Sequence, residues 1–163
     1  LTPSWTKILC GKKYTLIRDE FKKEKKKKRV FLSMGGADTA NLNIKILKVL
    51  KKFKDIKVDV ITTDANKNLK KLKSYTKDKK WIKLHINSNK MAKLMKKADF
   101  AIITPSVVLH EVLYMELPFI AIKTADNQKE FIDYLKKKEY QAIEDFSKNA
   151  LYNKLKQIKR QIC

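Results

Sequence analysis

Polar side chains follow two apolar runs near the middle of the chain, at positions where a ligand could be held. Ser106 comes shortly after the run FAII, and Asn127 and Gln128 come after the run FIAI. A hydroxyl at a helix start and side-chain amides can donate hydrogen bonds to phosphate or sugar oxygens. Glu111, five residues after Ser106, could accept two hydrogen bonds from a ribose diol. These residue types in this order predict a nucleotide site.

Each of these residues also has a purely structural interpretation. Ser106 is a good helix-capping residue, and Pro105 beside it is typical of the first helical position. Glu111 could be an ordinary exposed helical glutamate, and the Asn-Gln pair could form a polar turn. The order strand, loop, helix, strand, loop favours the ligand-binding interpretation of these residues over the structural one. It places two polar loops at the carboxyl ends of parallel strands, where open sheets bind ligands.

A glycine pair forms a second candidate loop. Gly35 and Gly36 follow the apolar run VFLSM and precede a helical pattern that opens near Asn41. Glycines allow a tight turn and close approach to a ligand, and the following helix start offers N–H groups to an anion. A plain turn would also use glycine, and Asn41 is a good cap for the following helix, with capping alone and ligand contact as the two interpretations. No GxGxxG fingerprint or P-loop is present.

The remaining reactive side chains do not assemble into a catalytic or metal-binding pattern. His85 and His110 lack metal-ligand spacing, and we interpret both as structural or surface residues. No serine or cysteine nucleophile can be matched with a base. Cys10 and Cys163 belong to no CxxC pair, which favours reduced thiols, while a disulfide between them remains open. The expectation is a ligand-binding domain without a catalytic group, metal or cofactor.

Alternating strand and helix patterns position these loops. They predict an α/β fold, a Rossmann-like doubly wound parallel sheet over residues 30–163. Residues 1–29 are predicted to form a linker, with a short extended piece at residues 14–17. Strands are predicted at Val30–Met34, Val58–Thr62, Trp81–Ile86, Phe100–Ile103, Phe119–Ile122 and Tyr140–Ile143. Helices are predicted at Asn41–Phe53, Leu69–Tyr75, Met91–Lys97, from Pro105 and Ser106 onward, and at Lys129–Lys137 and Ser147–Ile158, the last capped by Ser147.

The charge of the chain points to a basic surface. The net charge is +22, yet 36 of the 39 basic residues are lysine, scattered over every predicted helix. Base and phosphate recognition favours arginine, so we interpret the lysines as a solvated face and the run Lys22–Arg29 as part of the linker. A nucleic-acid binder is the alternative. No apolar run is long enough for a membrane span and no secretory signal opens the chain, so we expect a cytoplasmic protein away from membranes.

Three segments, which together span nearly the whole chain, carry a resemblance to a known family. GKKYTLIRDEF, FLSMGGADTANLNIKIL and ITPSVVLHEVLYMELPFIAIKTADNQ occur in that order. They resemble the carboxyl half of the UDP-sugar hydrolases of pseudaminic acid biosynthesis, which belong to the GT-B group of enzymes. The segment YxLIRxEF is the most specific part. The Ser–x4–Glu helix and the NQ pair resemble more widely shared features, including those of N-acetylglucosaminyltransferases.

The resemblance implies a role for each candidate residue in binding a UDP-linked amino sugar. Gly35 and Gly36 match the family's glycine loop, and Asn41 matches the asparagine that opens its next helix. Ser106 matches a hydroxyl residue near the diphosphate. Glu111 matches the carboxylate that holds the uridine ribose. Asn127 and Gln128 match the loop that faces the diphosphate and sugar, whereas Pro105 and Val107 stand where many relatives have small residues.

The resemblance also implies what this chain does not carry. In the family a catalytic histidine lies in an amino-terminal domain, where it assists water in releasing UDP and the free diacetamido-trideoxy-altrose, a step toward flagellin glycosylation. That domain is absent here, so this chain is expected to be the nucleotide-binding half and to need the missing domain as partner. A GT-B glycosyltransferase with a UDP-N-acetylglucosamine-type donor is the alternative enzyme.

Overall fold

The computed structural model describes residues 27–161 of the chain. The extended piece predicted at residues 14–17, the segment YxLIRxEF, most of the predicted linker, and both cysteines, Cys10 and Cys163, lie outside the described residues.

Six strands and six helices alternate along the described chain. The strands are β1 (Lys28–Ser33), β2 (Ile56–Thr62), β3 (Ile82–Ile86), β4 (Phe100–Ile103), β5 (Phe119–Ile122) and β6 (Gln141–Ile143). The helices are α1 (Asn43–Leu50), α2 (Leu69–Thr76), α3 (Met91–Lys97), α4 (Val107–Tyr114), α5 (Lys129–Lys137) and α6 (Lys148–Gln161). A short 3-10 helix over Asp126–Gln128 leads into α5.

The strands form one all-parallel sheet in the order β3-β2-β1-β4-β5-β6. The chain moves outward from β1 to β3, returns to the middle, and moves outward again from β4 to β6. Its direction therefore reverses between β1 and β4. In doubly wound sheets this switch point leaves a crevice at the carboxyl ends of the two strands. The predicted Rossmann-like fold is confirmed.

Helices cover both faces of the sheet because the central strands β1, β4 and β5 carry buried apolar side chains on both sides. Val30 and Leu32 of β1 belong to the core under α1, α2 and α6, whereas Phe31 belongs to the core under α3, α4 and α5. All three side chains are fully buried. Removing this much apolar surface from water is the main stabilising contribution, at roughly 25 cal/mol per Å². The rigid sheet in turn sets the positions of the loops at its carboxyl edge.

Several boundaries differ from the sequence prediction by one to three residues, and two of these differences have a clear cause. Strand β1 begins at Lys28, inside the predicted linker, because Arg29 pairs with Lys57 of β2 and exchanges hydrogen bonds of 2.7 Å with Asp99. Helix α1 begins at Asn43 rather than at Asn41. Asn41 has a φ of 52°, in the left-handed region, so it cannot be part of a right-handed helix.

A charged cluster lies on the sheet. Asp59, in the middle of β2, is 2% exposed, and its carboxylate accepts a hydrogen bond from Arg29 Nε at 2.8 Å. Its other oxygen lies 2.9 Å from His85 Nε2. Burial acts to raise the pKa of Asp59, but the hydrogen bonds and positive charges of Arg29 and His85 outweigh it and lower the pKa below its ordinary 3.8. His85 therefore has the structural role predicted for it.

Residues 27–161 contain neither a membrane-spanning helix nor a metal-binding cluster. Among the described helices, none has the length and apolarity that crossing a bilayer requires. In the same part of the chain, no three histidine, cysteine, aspartate or glutamate residues come together as a metal-binding group.

Candidate functional site

The glycine loop and the end of β4 meet at the switch point of the sheet. Gly35 has a φ of 81°, a conformation that other residues rarely adopt, and a Cβ built there would lie 3.8 Å from Cγ2 of Thr104. The Thr104 N–H donates to the carbonyl of Ser33 at 3.2 Å. The loops after β1 and β4 are therefore in direct contact, as the sequence predicted for the carboxyl ends of parallel strands.

Gly36 is packed against the loop that follows β2. Its carbonyl accepts hydrogen bonds from the Thr62 hydroxyl and the Thr63 N–H, both at 2.9 Å. A Cβ at Gly36 would lie 2.8 Å from Cγ2 and 2.9 Å from Oγ1 of Thr63. Glycine is required here by a neighbour in the structure, which is a purely structural reason that the local turn pattern did not reveal.

We expect Gly36→Ala to destabilise the fold by about 1–2 kcal/mol, because the added methyl overpacks the contact with Thr63. Urea unfolding measures the change. Thr63→Ala removes both close atoms and leaves only Cβ, at 3.4 Å. The double variant should therefore recover most of the loss. Equal destabilisation with and without Thr63→Ala would contradict the steric explanation.

The start of α1 is capped by a residue that the sequence analysis overlooked. Asp38 is 2% exposed, and its two carboxylate oxygens accept hydrogen bonds from the N–H groups of Leu42 and Asn43 at 2.9 and 3.1 Å. The prediction that Asn41 caps this helix is wrong, since the exposed Asn41 lies in the preceding left-handed turn. An anion at the glycine loop would therefore meet a carboxylate where free N–H groups were predicted.

The environment of Asp38 has opposing electrostatic effects. Burial raises the pKa of its carboxyl above the ordinary 3.8, while the two backbone hydrogen bonds and the nearby Lys45 act in the other direction. Each of the two carboxylate oxygens of Asp38 accepts one of these hydrogen bonds. A side chain with a single carbonyl oxygen would offer only one acceptor atom.

A hydrogen-bond network joins the ends of β4 and β5. Thr104 and Thr124 place their hydroxyl oxygens 2.8 Å apart. Oε1 of Gln128 accepts from the Thr124 N–H at 2.8 Å and lies 3.1 and 3.2 Å from the two hydroxyl oxygens. Gln128 therefore lies in the same cluster as Gly35. Asn127 is exposed beside it on the 3-10 helix.

Ser106 occupies the predicted capping position of α4, but its hydroxyl does not cap the helix. The backbone of Ser106 is extended and its side chain is exposed. Its Oγ instead makes a long hydrogen bond, 3.4 Å, to the carbonyl of Thr104. Pro105 lies before the helix rather than at its first position, because α4 begins only at Val107. Ser106 and Val107, at the start of α4, are exposed.

Glu111 lies apart from that cluster, on the exposed side of α4. It lines an open cavity of about 630 Å³ between α3 and α4, together with Asn89, Met91, Met95 and Tyr114. Most of the lining is apolar. A nucleobase or ribose is of a size and polarity that suits such a cleft, with a carboxylate to fix its orientation. Among the described residues, no hydrogen bond or ion pair joins Glu111 to the Gly35–Thr104–Gln128 cluster.

A second groove, of about 440 Å³, separates α4 from α5. His110 and Phe131 meet across it edge to face, with ring centroids 6.5 Å apart, and Asn127 lines one end. His110 is exposed, in agreement with the surface role predicted for it. A further cavity of about 330 Å³ lies at the opposite edge of the sheet, near Glu116 and Tyr140, far from the loops that carry the candidate residues.

The structure thus brings together Gly35, Ser106 and Gln128 around Thr104, places Gly36 against Thr63, and leaves Asn41 and Glu111 outside that group. Sequence reasoning missed Asp38, Thr104 and Thr124. Both threonines directly follow an apolar strand or lie within two residues of its end, which is the same signal that selected Ser106.

Comparisons with known proteins test the resemblance. No family model matches the chain. A curated relative from Campylobacter jejuni, the UDP-2,4-diacetamido-2,4,6-trideoxy-beta-L-altropyranose hydrolase, is 37% identical over 146 residues, which is 86% of this chain. The resemblance to the UDP-sugar hydrolases is confirmed. The match covers 53% of that hydrolase, so it concerns one part of it.

A more distant relative is named for polysaccharide biosynthesis. The spore coat polysaccharide biosynthesis protein SpsG of Bacillus subtilis is 24% identical over 76% of this chain and 39% of its own length. The chain therefore spans about half of the hydrolase and less of SpsG.

Solved structures share the fold of this chain at low sequence identity. The crystal structure of TarM has a TM-score of 0.63 at 17% identity, over 86% of this chain and 30% of TarM. A TarM mutant from S. aureus, in complex with Fondaparinux, alpha-GlcNAc-glycerol and UDP, has a TM-score of 0.62 at 16% identity, over 84% of this chain and 29% of that chain. These neighbours are GT-B glycosyltransferases, which agrees with the fold group that the resemblance implied.

Proposed function

We propose that this chain is the nucleotide-binding domain of a UDP-sugar hydrolase of pseudaminic acid biosynthesis. The observation that carries the proposal is the contact cluster of Gly35, Thr104 and Gln128 at the switch point of the sheet. Nucleotides bind at this position in doubly wound folds. The curated hydrolase that is 37% identical names the substrate class, a UDP-linked diacetamido sugar.

The geometry supports separate binding places for the diphosphate and for the uridine of the ligand. The diphosphate would lie over the glycine loop, near the Ser106 hydroxyl, the first turn of α4 and the amides of Asn127 and Gln128. The uridine would extend into the cleft between α3 and α4, where Glu111 could accept hydrogen bonds from the ribose. Because Asp38 fills the start of α1, the first turn of α4 is the better anion site of the two.

We propose that the chemical step depends on a residue outside this chain. In the hydrolase mechanism, water attacks at the glycosidic bond and UDP leaves, and a general base must assist that water. In the described part of the chain, His85 is hydrogen-bonded to Asp59 and His110 packs against Phe131, and neither makes a hydrogen bond to a residue of the crevice. We therefore assign the base to the amino-terminal half that the resemblance implies, with no metal or cofactor required in this half.

The first test is a titration of the chain with UDP, followed by NMR or calorimetry at near-physiological salt. We expect saturable binding of UDP, tighter than binding of UMP, and no release of UDP from a UDP-linked sugar by this chain alone. Inorganic pyrophosphate and single-stranded DNA are the controls for nonspecific attraction to a chain of net charge +22. Hydrolysis by the chain alone would contradict the assignment of the base to another domain.

The TarM likeness supports a second candidate, a GT-B glycosyltransferase. Product analysis of this chain joined to its amino-terminal half distinguishes the two activities. Free sugar together with UDP indicates a hydrolase, whereas a sugar attached to an acceptor indicates a transferase. Strongly salt-dependent binding of DNA with no binding of UDP would instead favour a nucleic-acid binder.

A further inference from the structure

The orientation of the Gln128 side-chain amide is set by the backbone at the end of β5. The Thr124 N–H lies 2.8 Å from an end of that amide, and a backbone N–H can only donate. The atom that faces Thr124 is therefore the acceptor Oε1, and Nε2 occupies the other end of the planar group. Only one of the two possible orientations of the amide satisfies the Thr124 N–H.

Two threonine hydroxyls, one of them buried, reinforce this orientation. Oε1 lies 3.1 Å from the Thr104 hydroxyl oxygen and 3.2 Å from that of Thr124, and the two hydroxyl oxygens lie 2.8 Å apart. Two hydroxyl hydrogens serve these three short contacts, so one hydroxyl donates to Oε1 while the other donates to its neighbour. Thr104 is 3% exposed, which holds its hydroxyl in this arrangement.

The opposite end of the amide remains available to a ligand. Within residues 27–161, Nε2 of Gln128 has no hydrogen-bond partner, and the residue is half-buried rather than enclosed. The same cluster contacts Gly35 through Thr104. Nε2 is thus a fixed neutral donor at the crevice between β1 and β4.

We propose that Thr104 and Thr124 are positioning residues: they hold Oε1 of Gln128 inward, so that Nε2 is oriented to donate to a diphosphate oxygen of the proposed site. This inference rests on the proposed nucleotide site and names the contact atom within it. The threonine pair keeps the amide from rotating, so the donor is oriented before the ligand arrives. Preorganised donors bind an anion without the cost of ordering a free side chain.

Gln128→Glu tests the contact atom. The substitution keeps an inward oxygen that can accept from Thr124 and replaces the outward amino group with a charged oxygen. We expect affinity for UDP to fall at least about tenfold, while affinity for uridine stays near the wild-type value and the Thr124 N–H stays protected from hydrogen exchange. Gln157→Glu, at an exposed position on α6, is the matched control for the change of charge.

The positioning role is tested with Thr104→Val and Thr104→Ser. The Gln128 side-chain NH₂ signals in a ¹H–¹⁵N spectrum report the orientation directly. We expect Thr104→Val to move these signals in the free protein and to weaken UDP binding several-fold, and Thr104→Ser, which keeps the hydroxyl, to restore both. A merely structural role would change stability without this rescue of the NH₂ signals.

Three results would overturn parts of this scheme, each in a recognisable way. Suppose that the wild type binds UDP. If Gln128→Glu then keeps the wild-type affinity for UDP, or loses affinity for UDP and uridine equally, Nε2 does not contact the diphosphate. Unchanged NH₂ signals in Thr104→Val would remove the positioning role. Failure of the wild type to bind UDP would overturn the proposed function and this contact with it.

Discussion

Glu111→Ala is expected to weaken UDP binding by about 1–3 kcal/mol, roughly 5- to 140-fold, because it removes a charged hydrogen-bond partner of the ribose. Glu111 is exposed in the cleft between α3 and α4 and makes no ion pair with another described residue. Its removal should therefore leave the fold intact. Titration with UDP measures the effect, and urea unfolding checks that stability is preserved.

The matched control for Glu111→Ala is Glu116→Ala. Glu116 is also exposed but lies just beyond the far end of α4, at the edge of the sheet opposite the candidate site. Both substitutions remove one negative charge, so they change long-range attraction of an anion alike. Equal effects of the two on UDP affinity, or no effect of Glu111→Ala, would remove Glu111 from the site.

Asp59→Ala is expected to lower the free energy of unfolding by about 2–3 kcal/mol at neutral pH. Removing one partner of a buried ion pair leaves the other charge uncompensated, at a typical cost of about 3–5 kcal/mol. Here the Arg29 and His85 side chains keep 35% and 16% exposure, so water offsets part of the loss. Urea unfolding measures it, with Asp78→Ala, at an exposed position before β3, as the control.

The same residue predicts a pH dependence. The pKa of Asp59 is lowered in the folded state, so its ionised form stabilises the fold above the ordinary value near 3.8. That contribution is lost as the pH falls below this value, through the folded-state pKa. The stability difference between wild type and Asp59→Ala should therefore shrink between neutral pH and about pH 3. A constant difference across that range would contradict the ionic role.

The fold could be predicted largely because its signals are local. β4, β5, α3 and α5 have the predicted bounds, since the two strands are continuous apolar runs and the two helices carry apolar residues at helical spacing. Ser147 caps α6 as expected, with its hydroxyl accepting from the Ala150 N–H at 3.0 Å. Alternation of buried strands with helices was sufficient to indicate a parallel, doubly wound sheet.

The site was predicted less completely, because residue type and position alone did not decide which side chain takes each role. Asn41 has the right residue type for a helix cap, yet the left-handed turn moves it out of place and gives the role to Asp38. Ser106 has the right position, yet its hydroxyl turns to Thr104. In both cases the residue type favours helix capping, but the backbone conformation at that position directs the side chain elsewhere.

The sequence by itself determined the order of strands and helices, the glycine loop, the polar loops and the family resemblance, because these depend on residues close together in the chain. Only the tertiary structure decided that Thr63 requires glycine at position 36 and that the Gln128 amide is held by Thr104, 24 residues away. The reason is that the order of strands in the sheet brings the loops together. Contacts between loops follow from that order and not from the spacing of residues along the chain.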